Sequence, residues 1–222
     1  MTPDCWTLLP VHGFATGKSR LAAVLDAQAR VALNRHLLMH TLEVIEAWRG
    51  DLAQCIVVSP CEDALACAHA AGAQALREPA GVGLNAALAY AAEQAVEWGG
   101  AKLLVVASDL PCLSAEALNA LTEKATATGG AALAPDRAGS GTNALVLSAE
   151  VRDIFRFGAD SCAQHRAALA GAGSRCVVYE RAELAFDLDT PQDYAEWTAQ
   201  RDARIPRGIS PPAQHQLEEA GK

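Results

Sequence analysis

The chain has 222 residues, of which 51% are hydrophobic and 20% are charged, and its formal net charge is −8. This length allows one sizeable core or at most two small ones. The negative charge argues against a nucleic-acid polymer as the main partner, because tracking a phosphate backbone requires a basic surface. A small anionic ligand remains compatible with the composition, since a few Lys and Arg side chains in a cleft can act locally.

The N-terminal sequence MTPDCWTLLP lacks a basic stretch followed by an apolar run, and no segment reaches transmembrane length. We therefore expect a cytoplasmic protein without a membrane partner. The seven cysteines are scattered without paired C-x-x-C spacings, which favours buried reduced thiols over disulfides or a metal site.

Strands and helices are predicted to alternate over the first two thirds of the chain. Strands are predicted at 5–11, 54–59, 73–76, 103–107, 130–134, 143–147, 176–179 and 184–186, and helices at 26–48, 62–71, from the glycine loop 81–85 to 98, 114–126, 162–169 and 191–200. This alternation predicts a three-layer α/β/α fold with a mostly parallel sheet. We expect one domain over 1–203 and a mobile tail over 204–222, because residues after 204 lack apolar periodicity.

A glycine-containing loop follows the first predicted strand. Its sequence GFATGKS suggests a phosphate-binding P-loop and hence a P-loop kinase, but Gly13 and Gly17 enclose three residues where four are required. Two other features of this loop still indicate phosphate binding. Glycines let the backbone approach a ligand, and Lys18 and Arg20 add positive charge, so we prefer phosphate binding to a tight turn with solvated bases.

A carboxylate follows the central predicted strand. Residues 103–107 form an uninterrupted apolar run, which is typical of a strand buried on both faces of a parallel sheet. Asp109 comes where this strand ends, because Pro111 lacks the N–H that the ladder would need. Ligands bind at this edge of open α/β sheets, and a carboxylate there suits Mg²⁺ beside a polyphosphate. Alternatively, Asp109 caps the next helix, although Ser114 is the better N-cap.

Two further carboxylates, Asp187 and Asp189, lie two residues apart in the segment FDLDTP. On an extended segment such residues face the same way, so they can converge on one metal ion or on two. Near Asp109 they would complete a site for metal-assisted displacement at phosphorus. Alternatively, Asp189 or Thr190 caps the helix that begins at Pro191.

Six segments in the chain are PVHGFATGKSRL, GVGLNAAL, SDLPCL, APDRAGSGTNAL, FGADSCAQHRAA and FDLDTPQDY. Together and in this order they resemble the 2-phospho-L-lactate guanylyltransferase family, which acts in coenzyme F-420 biosynthesis. The resemblance runs from about residue 7 to residue 197. It implies a nucleotide-diphospho-sugar transferase-like fold. It also implies that a phosphate oxygen of a small phosphorylated carboxylic acid attacks the α-phosphorus of GTP and releases pyrophosphate.

In such a reaction the nucleophile is already an anion, so the protein supplies positioning and charge neutralisation rather than a general base. The resemblance also assigns roles to candidate residues. It implies that Mg²⁺ is held by Asp109, Asp187 and Asp189 and that the triphosphate is neutralised by Lys18 and Arg20. It implies that the nucleoside pocket is lined by Gly83, Leu84 and Asn85 and that the floor of the site is formed by Thr142 and Asn143. The acceptor subsite would be formed by Ser161, His165 and Arg166.

Several of these residues also have purely structural interpretations. Ser161 could cap the helix that follows it. His165 could be a surface histidine or a satisfied one, although its spacing of four places it on the same helix face as Ser161. Arg137 could form an ordinary surface ion pair or contact a phosphate.

One residue departs from the family pattern. The first strand of the family usually ends Pro-Val-Lys, and here His12 follows Pro10 and Val11. Histidine is largely neutral at neutral pH, whereas lysine is a cation. Two alternatives therefore stay open: a non-catalytic nucleotide-binding relative, and a nucleotidyltransferase for another acceptor such as molybdopterin or a sugar phosphate. The three carboxylates argue against the first, and the first loop does not match the pattern of the second.

Overall fold

The computed structural model describes residues 5–204. Within these residues the strands are β1 (Cys5–Pro10), β2 (Cys55–Ser59), β3 (Gln74–Arg77), β4 (Lys102–Val106), β5 (Ala131–Pro135), β6 (Thr142–Ser148) and β7 (Cys176–Val178). The helices are α1 (Ala27–Arg49), α2 (Glu62–Ala70), α3 (Gly83–Glu97), α4 (Ala115–Thr128), α5 (Ser161–Gly171), α6 (Ala182–Ala185) and α7 (Pro191–Arg204), with two 3₁₀ helices at Ser19–Ala23 and Ala149–Ile154. The predicted tail lies outside the described residues except for residue 204.

The described strands form one seven-stranded sheet in the order β3-β2-β1-β4-β6-β5-β7. All neighbouring strands are parallel except at β6, which runs antiparallel to both β4 and β5. The predicted mostly parallel sheet is therefore confirmed. β4 occupies the middle of the sheet and is buried from Leu103 to Val106, as its apolar run predicts.

Helices cover both faces of the sheet. Leu9, Val57 and Leu104 belong to a core on one face, together with side chains of α1, α2 and α4. Leu8 and Leu103 point to the other face and pack with side chains of α3 and α5. Successive side chains of a strand point to opposite faces, so each central strand contributes to both cores. The predicted three-layer α/β/α architecture is confirmed.

The ends of the helices show which polar residues serve as caps. Ser114 Oγ accepts a hydrogen bond from Ala117 N at 3.2 Å and caps α4. Asp109 therefore does not cap that helix, and the capping interpretation of its carboxylate is wrong. Thr190 and Asp193 cap α7 reciprocally, because Thr190 N donates to Asp193 Oδ2 at 2.7 Å and Asp193 N donates to Thr190 Oγ1 at 3.2 Å.

Two local predictions are wrong. The strand predicted at 184–186 is instead the short helix α6, whose Ala, Glu and Leu residues are good helix formers. Ser161 is not an N-cap but the first residue of α5, because Asp160 occupies the capping position. Asp160 has φ 52° and makes no side-chain capping bond.

None of the seven cysteines, all of which lie within residues 5–204, forms a disulfide. Burial raises the pKa of Cys55 to about 12 and, against the charges of Arg49 and Lys102, that of Cys5 to about 11. The most buried thiols are therefore protonated at neutral pH. In the described part of the chain, no helix is both long and apolar enough to cross a bilayer.

Candidate active site

Several of the polar residues singled out in the sequence meet at the carboxyl ends of β1 and β4. The antiparallel direction of β6 contributes to this meeting, because Val106 pairs with Ala144 and the start of β6 therefore lies beside the end of β4. The backbone continues this alignment past the strands, since Ala107 N donates to Asn143 O at 2.8 Å. The site is thus built from strand ends at one edge of the sheet, where α/β folds bind their ligands.

Two adjoining cavities open at this edge. The first, here named the Thr142 cavity, has a volume of about 280 Å³ and the second, the Lys18 cavity, about 260 Å³. Both are lined by His12, Ser108 and Asp109. The Thr142 cavity is also lined by Pro10, Leu84, Val105, Ala107, Asp136, Gly141, Thr142, Asn143, Phe157, Gly158, Ser161 and Asp187, and the Lys18 cavity by Val11, Gly17, Lys18, Asn34, Leu37 and Asp189.

Lys18 joins two of the three predicted metal-binding carboxylates. Its Nζ donates to Asp109 Oδ2 and to Asp189 Oδ1, each at 2.6 Å, and its side chain is only 7% exposed. Burial opposes the charged form, but the two carboxylates outweigh it and raise the pKa of Lys18. The residue also has φ 56°, a left-handed conformation that costs a non-glycine residue about 1 kcal/mol. The loop therefore holds a charged ammonium between the two carboxylates.

The loop before Lys18 is not a P-loop. The amides of Thr16 and Gly17 donate to Gly13 O at 3.1 and 2.8 Å, so they do not cradle a phosphate as they stand. A five-residue 3₁₀ helix follows instead of a long helix. The P-loop interpretation is wrong. Of the features that predicted phosphate binding, the positive charge of the loop is the one that the structure retains. Arg20 contributes little of that charge as it stands, because it is 73% exposed and its Nη1 lies 3.8 Å from Asp189 Oδ2.

Asp187 lies close enough to the other two carboxylates to interact with them electrostatically. Burial raises its pKa first, and the charges of Asp109 and Asp189 raise it further, against hydrogen bonds from its own backbone and from Asn143 that lower it. The segment that carries Asp187 is tied to the Asp109 loop, because Leu188 N donates to Asp109 O at 3.0 Å. Three carboxylates therefore share one edge of the sheet.

These carboxylates do not form a metal site as they stand. Among residues 5–204, no three His, Cys, Asp or Glu side chains are arranged so that they could hold a metal ion. An ammonium lies between Asp109 and Asp189 instead. The donor set still fits Mg²⁺, which prefers carboxylate oxygens, and one buried ammonium leaves part of the negative charge of the three carboxylates uncompensated.

Asn143 holds the segment that leads to Asp187 and Asp189 through side-chain hydrogen bonds. Its Nδ2 donates to the carbonyls of Leu184 and Ala185 at 3.0 and 3.2 Å, near the end of α6. The chain enters the segment of Asp187 and Asp189 directly after these carbonyls. Asn143 lines the Thr142 cavity, and its amide N–H groups anchor this segment.

Thr142, Ser161 and His165 form a buried cluster at the base of the Thr142 cavity. Thr142 Oγ1 lies 3.1 Å from both Ser161 Oγ and His165 Nδ1. His165 is 0% exposed, and its Nε2 accepts a hydrogen bond from Arg156 N at 2.9 Å. The structure therefore does not place His165 in direct contact with a ligand in the cavity, contrary to its predicted place in the acceptor subsite.

The pKa of His165 is lowered to about 4, chiefly by burial and secondarily by the charge of Arg156, against a hydrogen bond with the Ser161 backbone that raises it. The ring is therefore neutral at neutral pH. Arg166 points elsewhere, because it lines a separate surface cleft with Arg175 and Cys176. Arg166 is therefore not among the residues that line the Thr142 cavity.

The predicted nucleoside-binding segment is only partly at the site. Leu84 lines the Thr142 cavity, whereas Gly83 is exposed with φ 74° at the start of α3. Both amide atoms of Asn85 are occupied by the backbone of Phe157, with Phe157 N donating to Oδ1 at 2.7 Å and Nδ2 donating to Phe157 O at 3.0 Å. Asn85 therefore holds the loop that lines the cavity instead of facing a ligand.

Asp136 and Phe157 line the Thr142 cavity without having been singled out in the sequence. Asp136 lies in the segment PDRAGSGTN, and its Oδ1 accepts from the amides of Ser140 and Gly141, each at 2.9 Å. The family-like segment could have indicated Asp136, but no local pattern indicates Phe157. Arg137 forms a surface ion pair with Glu196 at 2.8 and 3.1 Å.

Comparison with known proteins identifies a family. Residues 5–202 match the family described as "Guanylyl transferase CofC like". The phosphoenolpyruvate guanylyltransferase of Rubrobacter xylanophilus is 40% identical over 195 residues, which cover 87% of this chain and 93% of that enzyme. The 3-phospho-D-glycerate guanylyltransferase of Phenylobacterium zucineum is 38% identical over 194 residues, which cover 85% and 87%.

Solved structures agree on the fold. A protein of Desulfovibrio desulfuricans assigned to the nucleotide-diphospho-sugar transferases superposes with a TM-score of 0.73 at 18% identity, covering 93% of this chain and 91% of that one. A nucleotidyl transferase from Methanothermobacter gives a TM-score of 0.64 at 17% identity, covering 89% and 97%. These similarities confirm the predicted nucleotide-diphospho-sugar transferase-like fold.

Proposed function

Because the chain belongs to the CofC-like guanylyl transferase family, we propose that it joins the GMP moiety of GTP to the phosphate of a small phosphorylated carboxylic acid. Phosphoenolpyruvate and 3-phospho-D-glycerate are the first acceptors to consider, since two relatives are named for them. 2-Phospho-L-lactate, and with it a role in coenzyme F-420 biosynthesis, is the third. The observation that carries the proposal is the pair of adjoining cavities that share Asp109.

The chemistry requires two anions to approach each other. A phosphate oxygen of the acid forms a bond to the α-phosphorus of GTP, the bond from that phosphorus to the bridging oxygen of the β-phosphate breaks, and pyrophosphate leaves with the electron pair. The nucleophile needs no deprotonation, so the work of the protein is to align the two phosphates and to reduce their repulsion. The site accordingly provides carboxylates, cations and hydroxyls without a nucleophile–base pair.

We assign the triphosphate to the Lys18 cavity and the acid to the Thr142 cavity. Lys18 and Arg20 are the basic residues beside the first cavity, which favours the more highly charged substrate there. The hydroxyls of Thr142 and Ser161 lie in the second cavity, whose volume suits a small acid. Asp109 stands between the two. The nucleoside contact implied for Gly83 and Leu84 stays a prediction, whereas the Asn85 side chain acts on the site through the Phe157 loop.

Asp109, Asp187 and Asp189 would hold Mg²⁺. When bound, the ion would neutralise charge on the triphosphate and on the departing pyrophosphate. Lys18 uses two of its three N–H donors on Asp109 and Asp189, so the third remains for a phosphate oxygen. The contacts with Asp109 and Asp189 raise the pKa of Lys18, so its ammonium is protonated before the substrates bind.

Pyrophosphate release in the presence of Mg²⁺ tests the proposal. GTP, ATP and CTP are each combined with phosphoenolpyruvate, 3-phospho-D-glycerate and 2-phospho-L-lactate. We expect release with GTP and at least one of the acids. GTP binding without release in any combination would support a non-catalytic relative, and release with molybdopterin or a sugar phosphate alone would support the other acceptor class.

The variant Asp109→Asn serves as the inactive reference for this assay. Its turnover should fall by at least about a hundredfold, because a carboxylate that would hold Mg²⁺ beside both phosphates is lost. Its folding should be retained, since Ser114 caps α4 independently. Asp153→Asn, at an exposed position away from both cavities, is the matched control. A large loss of thermal stability in Asp109→Asn alone would contradict the assignment to the site.

A further inference from the structure

His165 is buried beside the proposed acceptor site without reaching it. Its imidazole contacts Thr142 on one side and the Arg156 backbone on the other, and Phe157 packs edge-on against the ring with centroids 4.6 Å apart. Both Thr142 and Phe157 line the Thr142 cavity. The ring therefore lies one layer behind the cavity wall, where it can act on a ligand only through other residues.

The contacts of the ring determine which of its nitrogens carries the proton. Arg156 N is an obligatory donor and points at Nε2 from 2.9 Å, so Nε2 must present a lone pair. A neutral imidazole with a lone pair on Nε2 has its hydrogen on Nδ1. A proton on Nε2 would place two N–H groups against each other in a site that water does not reach. The backbone of Arg156 thus selects the Nδ1–H tautomer.

This tautomer limits what the neighbouring hydroxyls can do. Nδ1–H cannot accept a hydrogen bond, so Thr142 Oγ1, 3.1 Å away, cannot donate to it and accepts from it beside the Ser161 backbone. Ser161 Oγ, also 3.1 Å from Thr142 Oγ1, can exchange a single hydrogen bond with it. The two hydroxyls have two hydrogens, and only one is used between them. The other hydrogen is left over whichever hydroxyl donates within the pair.

The remaining hydrogen is available to a ligand in the cavity. Thr142 and Ser161 both line the Thr142 cavity, and no other acceptor for either hydroxyl occurs among the hydrogen bonds of the described residues. If His165 had the other tautomer, Nδ1 would accept from Thr142, and both hydroxyl hydrogens could be used inside the cluster. The cavity would then face lone pairs, which repel an anion.

We propose that His165 is a positioning residue that makes the Thr142–Ser161 hydroxyl pair a hydrogen-bond donor to the anionic acceptor acid. This inference rests on the proposed function. The acidic side chains that line the Thr142 cavity are those of Asp109, Asp136 and Asp187, and neither Lys nor Arg lines it. An acid that enters such a cavity depends on uncharged donors and on metal, so the direction of one hydroxyl hydrogen affects its affinity.

The tautomer can be measured directly on the unmodified protein. Long-range ¹H–¹⁵N correlation spectra of histidine-labelled protein at neutral pH distinguish a protonated from an unprotonated ring nitrogen, and loss of one set of signals in His165→Asn identifies the residue. We expect His165 to have a protonated Nδ1 and an unprotonated Nε2. A protonated Nε2, alone or together with Nδ1, would overturn the inference.

Two substitutions separate the roles of the two nitrogens. In His165→Asn, the amide can place an N–H near the position of Nδ1, whereas in His165→Gln the amide reaches the position of Nε2 and leaves Thr142 without its donor. We expect His165→Gln to raise the KM of the acid about tenfold. The KM of GTP and kcat should change by less than about threefold, and His165→Asn should stay close to the wild type. Equal effects of both variants on every constant would indicate a merely structural role.

His69→Gln, at an exposed position on α2, is the control for the substitution itself. Calorimetric binding of phosphoenolpyruvate, of 3-phospho-D-glycerate and of inorganic phosphate gives a readout that does not require turnover. If the wild type binds one of these probes but releases no pyrophosphate, the proposed reaction fails, and weaker binding in His165→Gln than in His165→Asn still supports the donor role. Absence of binding of all three probes to the wild type, or equal binding in both variants, would overturn it.

Discussion

At the scale of single residues, the burial and the backbone conformation of Lys18 are the features that most need an explanation. A buried ammonium compensates Asp109 and Asp189, and a strained backbone conformation places it there. Strain of this kind persists where the surrounding structure determines it and is concentrated at functional sites. We interpret Lys18 as the internal counter-ion of the carboxylates while neither metal nor nucleotide is bound.

Replacing Lys18 by methionine should show this role. Without metal, Lys18→Met should lower the free energy of unfolding by about 1 kcal/mol, because two partly exposed carboxylates lose their counter-ion. Mg²⁺ should raise the Tm of this variant more than that of the wild type, since no ammonium competes for the carboxylates. Thermal melts with Mg²⁺ and with EDTA measure both effects. Lys124→Met, at an exposed position, is the control. An identical response of all three proteins to Mg²⁺ would contradict the interpretation.

The ionisation of His165 makes a prediction about stability. Its pKa is lowered to about 4 in the folded protein. Below its ordinary pKa of about 6.5, the unfolded chain binds a proton that the folded chain does not accept, so the free energy of unfolding decreases as the pH falls from about 6.5 to about 4. Between pH 7 and pH 5 the decrease from this residue should be about 2 kcal/mol.

Urea unfolding at both pH values in the wild type and in His165→Gln isolates this contribution, because other groups titrate in both proteins. The variant should lose less stability than the wild type on acidification. If the two proteins lose the same amount, His165 is accessible to protons in the folded state.

At the scale of elements, the turn between β5 and β6 shapes the wall of the Thr142 cavity. Asp136 closes this turn by accepting from the amides of Ser140 and Gly141. A Cβ added at Gly141 would lie 2.7 Å from Asp136 Oδ2 and 2.9 Å from its Cγ. A larger residue at this position would therefore displace the Asp136 carboxylate that is packed against Gly141.

Gly141→Ala should displace Asp136 and weaken both amide hydrogen bonds. We expect the free energy of unfolding to fall by about 1–2 kcal/mol and the KM of the acid to rise, because the displaced carboxylate belongs to the cavity wall. Gly171→Ala, where a Cβ would meet nothing within 4 Å and φ is not positive, is the matched control and should not be destabilised. Chemical denaturation of both variants measures their free energies of unfolding. Unchanged stability of Gly141→Ala would show that the turn can adjust.

At the scale of the whole molecule, the site collects acidic side chains in a chain of net charge −8. Such a site repels a triphosphate unless a cation accompanies it. GTP and Mg²⁺ should therefore stabilise the protein together more than the sum of their separate effects. At a hundred times its Kd, the nucleotide should add about 2.7 kcal/mol to the free energy of unfolding.

Scanning fluorimetry with EDTA, Mg²⁺, GTP and their combination tests this prediction, with ATP as the control nucleotide. The combined shift should be absent from the Asp109→Asn variant. A full shift produced by GTP in the presence of EDTA would show that the protein neutralises the triphosphate without metal.

The sequence alone determined much of the fold and the edge at which the site lies. Alternation between apolar strands and amphipathic helices predicts the layers, because burial of a strand or helix depends on neighbours within a few residues. The same local logic places Asp109 at the end of β4, and Ser114 and Thr190 at helix caps. The ordered set of motifs indicates the family by itself, because it does not depend on contacts between distant residues.

Only the tertiary structure decided how the site residues meet. The antiparallel direction of β6, the ammonium of Lys18 between carboxylates 91 and 171 residues away, and the burial of His165 behind Thr142 have no local signature. These contacts depend on how distant strand ends and helices pack, and packing is set by the shape and volume of the whole core rather than by the spacing of neighbouring residues. For this reason the sequence identified His165 as a candidate ligand contact, and the structure places it behind the hydroxyl that lines the cavity.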